Sequence, residues 1–97
     1  MMPLFIIHCL DKPGALRSRL RHYDAHKAYL ATAPVRILIS GPLVSDDGET
    51  MIGSTFLVEA ADRTAVEAFN QADPFFSAGI WQDIAIHRFL KRVDQRD

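Results

Sequence analysis

Two residues carry side chains that could move a proton if the rest of the chain positions them: His26 and Asp73. An imidazole titrates near neutral pH and can both take and return a proton. His26 stands in Ala25-His26-Lys27-Ala28-Tyr29-Leu30. It lies about 70° around a predicted helix from the centre of that helix's apolar stripe, at 100° per residue. Such a position borders the core and can look into a cleft beside it. A boundary histidine with no chemical task has the same signature. Asp73 stands in Ala72-Asp73-Pro74-Phe75-Phe76. Aspartate before proline starts turns, and the two phenylalanines hold this one near apolar surface. Apolar surroundings make a carboxyl group harder to ionise and so a usable acid or base. A carboxylate beside an imidazole would also orient the ring and fix its tautomer. Whether the two residues meet depends on the fold.

Other groups are weaker candidates. Ser40, with Gly41 and Pro42, closes a predicted strand and is a possible pocket donor, but no nucleophile motif surrounds it. Phe75 and Phe76 would exclude water and hold a substrate. His8 and His87 fall on the first and last strands and are read as unrelated strand histidines. His22 and His26 are four apart on one helix, but no third ligand accompanies them, so no metal site is expected. Asp46, Asp47 and Glu49 sit in a segment too short for a calcium loop. With no G-x-G-x-x-G and no Walker A pattern, no organic cofactor is expected. Cys9 is the only cysteine, which excludes an intrachain disulfide and reads as a small buried filler. Trp81 is assigned to an interface between subunits rather than to a pocket.

The elements that must position these residues follow from periodicity. Leu4 to Leu10 is short, β-forming and nearly continuously apolar, as in a strand buried on both faces. Asp11-Lys12-Pro13-Gly14 breaks it. One helix is predicted over 15–33, with Leu16, Leu20, Tyr23 and Leu30 as its core stripe and Lys27 a misfit within it; Pro34 ends it. A second strand covers 35–41, closed by Pro42, and a third covers 54–60, the two joined as a hairpin through an Asp46-Asp47-Gly48-Glu49 turn. Asp62 can cap a second helix running to Gln71, with Val66 and Phe69 on its inner face. Asp73-Pro74 stops that helix, and a last strand runs from Trp81 to Leu90. The order is βαββαβ: one α+β, ferredoxin-like domain over residues 1–97, a four-stranded antiparallel sheet with two helices on one face.

Composition narrows the partners. The chain has 97 residues, 48% of them hydrophobic, enough for a core but small enough to leave apolar surface uncovered. A homodimer or higher homo-oligomer, packed sheet on sheet, is therefore expected. The formal net charge is -1, and Arg17, Arg19 and Arg21 are assigned to a solvated helix face, so no nucleic-acid partner is expected. No apolar run approaches the roughly 20 residues that span a bilayer, so no membrane partner is expected and the location is read as cytoplasmic.

On these residues the chain resembles the YCII-related family. The shared features are a first strand ending at Asp11, the helix around His26, Ser40-Gly41-Pro42, Gly48 followed by Gly53-Ser54-Thr55, and Asp73-Pro74-Phe75 with Ala78-Gly79. They occur in the family's order from about Phe5 to Phe89. The resemblance implies a dimeric α+β barrel and a catalytic histidine and aspartate, which map to His26 and Asp73. Tyr23 occupies the place of an arginine that family members often carry three residues before that histidine; Arg19, one turn earlier, would substitute only in part. The implied activity is proton-transfer chemistry on a small organic ligand, as in an isomerase, lyase or hydrolase, with Tyr23, Ser40, Gly41 and Phe75 contacting the substrate. The rival reading is a non-catalytic module that binds a metabolite or a partner.

Overall fold

The computed structural model describes residues 2–96. The elements in order are β1 (Leu4–Asp11), α1 (Leu16–Arg21), α2 (Tyr23–Ala31), β2 (Arg36–Val44), β3 (Met51–Glu59), α3 (Arg63–Gln71), α4 (Pro74–Ser77) and β4 (Trp81–Phe89). The strands form one antiparallel sheet in the order β2-β3-β1-β4, the ferredoxin-like arrangement, with the helices on one face. Phe5, Ile7 and Cys9 of β1 and Phe56 and Val58 of β3 point to that face and pack with Val66 and Phe69 of α3 and Phe75 of α4. Within β1 burial alternates: His8 and Leu10 are exposed. The expectation of burial on both faces is corrected, because the helices cover only one side of the sheet.

The hairpin is longer than its sequence signals suggest. Pro42 does not close β2 but lies within it, opposite Ser54, and β3 begins at Met51. Proline is tolerated there because β2 is an edge strand and needs no outward amide donor. The turn falls at the expected acidic segment, where the Gly48 amide donates to the Ser45 carbonyl at 2.8 Å and Gly48 takes φ 77°. Gly53 serves a different need: a Cβ there would run into the Cys9 carbonyl of β1.

The predicted first helix differs from the structure in two ways. It is interrupted at His22 (φ -98°, ψ 5°), giving α1 and α2 in place of one rod. Its buried face is also rotated from the expected one. Leu16 and Leu20 are 38% and 55% exposed, whereas Arg19 and His26 are 1% and 6% exposed. The inward stripe is Ala15, Arg19, His22, His26, Tyr29 and Ala33, spaced alternately four and three apart. The assignment of Leu16 and Leu20 to the core and of Arg19 to a solvated face is therefore corrected, whereas Tyr23 and Leu30 pack against the core as expected; Arg17 and Arg21 are exposed.

The second half follows expectation more closely. Asp62 caps α3 by accepting from the Ala65 amide at 2.9 Å, and Val66 and Phe69 are buried. After Ala72 the chain does more than stop. Pro74 begins the four-residue turn α4, with Asp73 as its N-cap, and proline suits a first helical position because its missing N–H would be unpaired there anyway. Trp81, expected at an interface, is buried in the core, edge-on to Phe56 and Phe75.

Candidate active site

His26 and Asp73 are 47 residues apart and meet in the interior. The Asp73 Oδ1 lies 2.9 Å from His26 Nδ1 and accepts its hydrogen bond, while Oδ2 lies 2.8 Å from the same nitrogen without a hydrogen bond of its own. Oδ1 also accepts from the Phe75 amide at 2.8 Å. One carboxylate thus caps α4 and holds the imidazole. The Phe75 ring lies flat against the imidazole, centroids 4.0 Å apart and planes 7° apart, which fixes the ring's tilt. In the neutral ring, an acceptor at Nδ1 puts the proton on that nitrogen and leaves Nε2 a free lone pair.

His26 lines a cavity of about 220 Å³ between α1, α2 and the β2–β3 hairpin. Of the residues singled out in the sequence, Tyr23, Ser40 and Gly41 line it with His26. Asp73 and Phe75 stand behind the imidazole, not on the cavity wall. His8 and His87 lie on the uncovered face of the sheet, two pairs apart on the β1–β4 ladder, away from this cavity.

Arg19 reaches the same cavity. Its Nε and Nη2 donate to Asp11 at 2.7 and 3.0 Å, and Nη2 donates to Ser54 Oγ at 2.7 Å. Its guanidinium carbon sits 4.7 Å from the Phe75 centroid. A buried guanidinium needs such a fork of partners, since an unpaired charge in the interior costs several kcal/mol. The sequence did carry a signal for it: Arg19 and His26 are seven apart, two turns, and so share a face. Asp11 ends β1 beneath that face.

Two further groups near the pair are kept inert. Burial pushes the Cys9 thiol up to about 12, against smaller opposing help from the Asn70 amide. Burial, with the Asp73 charge nearby, raises the Tyr29 phenol, which donates to the Phe69 carbonyl at 2.8 Å.

Comparison with known proteins places the chain among relatives of the same family and fold. The YCII-related domain matches residues 3–90. Protein YciI of Escherichia coli O6:H1 is 30% identical over 95 residues, covering 91% of this chain and 97% of the relative. Among solved structures, the 5-chloro-2-hydroxyhydroquinone dehydrochlorinase TftG from Burkholderia phenoliruptrix, in complex with 2,5-dihydroxybenzoquinone, superposes with TM-score 0.82 at 34% identity, covering 90% of this chain and 93% of that one. A NIPSNAP domain protein from Burkholderia xenovorans shares the fold alone, with TM-score 0.55 at 17% identity, over 99% of this chain and all of that one (100%).

Proposed function

Because this chain belongs to the YCII-related family, we propose that it is a cofactor-independent enzyme that moves a proton on a small hydroxylated ring compound, with His26 as the acid–base group. The observation that carries this reading is the buried Nδ1···Asp73 contact of an imidazole that lines a cavity. Nε2 takes a proton from a ring hydroxyl or ring carbon. The electron pair left behind either expels a leaving group or returns to a proton at another atom, giving elimination or isomerisation. The imidazolium formed is supported by Asp73, which acts as a positioning residue, and hands the proton on as the step closes. Tyr23, Ser40 and Gly41 hold the substrate. Phe75, behind the imidazole, serves it through His26 rather than by direct contact. The likeness to a dehydrochlorinase at 34% identity favours elimination among these outcomes.

The uncovered sheet face supports a homodimer. A second cavity of about 410 Å³ lies on that side, with Leu4, Leu38, Leu57 and Phe89 in its lining. A sheet packed against a second copy would cover them. Among the described residues no helix is long and apolar enough to cross a membrane.

The test is chloride release from 5-chloro-2-hydroxyhydroquinone, extended to a panel of halogenated phenols and unsaturated lactones. The expected result is turnover above the uncatalysed rate that falls about 10²-fold or more in His26→Asn. Equal rates for the wild type and that variant on every compound would overturn the reading.

A further inference from the structure

We propose that the cavity selects a small ring anion, held at its closed end by Nη1 of Arg19 and at its mouth by the Lys27 ammonium. This rests on the reading of the cavity as a small-molecule site and adds the charge of what it takes. Three nitrogen bases, Arg19, His26 and Lys27, line the cavity, and among the described residues no carboxylate does. The acids that balance them sit behind. Asp11 grips Nε and Nη2 of Arg19, and Asp73 grips Nδ1 of His26. Each pair therefore presents its nitrogen end to the cavity and its carboxylate end to the protein.

The Arg19 fork is only partly used. Nε and Nη2 have partners, whereas Nη1 makes no hydrogen bond among the described residues. It is also not among the buried unpartnered atoms, so it borders open space. A guanidinium donor fixed this way, 1% exposed as a residue, acts in a medium of low dielectric and needs no reorganisation when an oxyanion arrives. Lys27 is held loosely at the rim, over the Tyr23 ring at 4.8 Å and 3.8 Å from an exposed Asp24. It is free to close over a bound anion. The apolar part of the lining, Leu30, Pro42 and Phe56, suits a ring rather than a polar chain.

Benzoate and benzamide test this, because they share a shape and differ in charge. Both are titrated by NMR into the wild type, Lys27→Met, and the double variant Asp11→Asn/Arg19→Gln, which removes both charges of the buried pair together. Benzoate is expected to bind the wild type at least about tenfold tighter than benzamide, a charged hydrogen bond being worth that much. The preference is expected to shrink two- to fivefold, roughly, in Lys27→Met and to fall in the double variant to the Lys27 share of about two- to fivefold. If the double variant does not fold, Arg19→Lys replaces it, keeping the charge but removing the fork, with benzoate binding expected to weaken about fivefold or more. Equal affinity of the wild type for the two probes overturns the anion class. A preference that survives undiminished in the double variant or in Arg19→Lys overturns Arg19 as the anchor. His26→Asn retains the preference, so a failure of the proton-transfer reading shows in that variant's turnover and not in this titration.

Discussion

Replacing Asp73 by Asn separates shape from charge at the pair. The asparagine Oδ1 can still accept from the Phe75 amide, which Asp73 now does at 2.8 Å, so the cap of α4 survives. The amide nitrogen then falls where Oδ2 now stands, 2.8 Å from His26 Nδ1. Two N–H groups cannot face each other at that distance. The ring is driven to the tautomer with a bare Nδ1 and its proton on Nε2, which turns a base toward the cavity into a donor. A wrong tautomer of this kind costs about 10²–10⁴ in rate. Stability changes far less, because one charge-assisted hydrogen bond becomes a neutral one, a loss of about 1–2 kcal/mol. Nitrogen-15 NMR of the imidazole reads the tautomer without any substrate, and urea unfolding reads the stability. A variant whose ring nitrogens keep their wild-type shifts would refute the reasoning, since the carboxylate would then not be setting the tautomer.

Four other outcomes are expected. Phe69→Ala loses about 3–5 kcal/mol in chemical denaturation, whereas Leu20→Ala, on the exposed side of α1, changes stability by less than about 0.5 kcal/mol; similar losses for both would put the helix face back where periodicity alone places it. Arg19→Met leaves Asp11 buried without its partner and costs about 3–5 kcal/mol, and a neutral result would mean that the pair is solvated. Cys9 ionises in the unfolded chain near 9.0 but stays a thiol in the fold to about 12, so its contribution to stability is complete below pH 9.0 and is lost as the pH rises from there toward 12; the wild type should lose more stability than Cys9→Ala across that window, and parallel losses would contradict the burial argument. Light scattering at micromolar concentration should give about twice the 10.9 kDa chain mass, and a concentration-independent monomer would remove the dimer.

The strands were legible because their signals are local. Short runs of β-forming residues and the acidic turn mark them. The first helix was not, and the reason is chemical. Periodicity places the buried face on Leu16, Leu20, Tyr23 and Leu30, of which Tyr23 and Leu30 do pack against the core while Leu16 and Leu20 are exposed. The real inward stripe is small, polar and charged, and what it buries is paired, with Arg19 on Asp11 and His26 on Asp73. Hydrophobic patterning is blind to a face whose partners come from Asp11 on one side and Asp73 on the other. The site was thus half visible: His26 and Asp73 stood out by residue type, but their meeting and the role of Arg19 depended on a helix face turned well away from the apolar one. Pro42 shows a similar limit, since a proline ends a central strand but not an edge strand, and sequence does not mark the edge.

The double use of Asp73 Oδ1 ties catalytic readiness to a fluctuation that is directly observable. The Phe75 amide exchanges with solvent only when its bond to that oxygen opens, and the same opening frees the carboxylate that steadies His26 from its cap on α4. Its exchange rate therefore counts how often the cap that anchors Asp73 opens. A ligand that settles against His26 slows that single amide more than the strand amides around it, which makes residue 75 a built-in gauge of occupancy for compounds that produce no turnover and no colour.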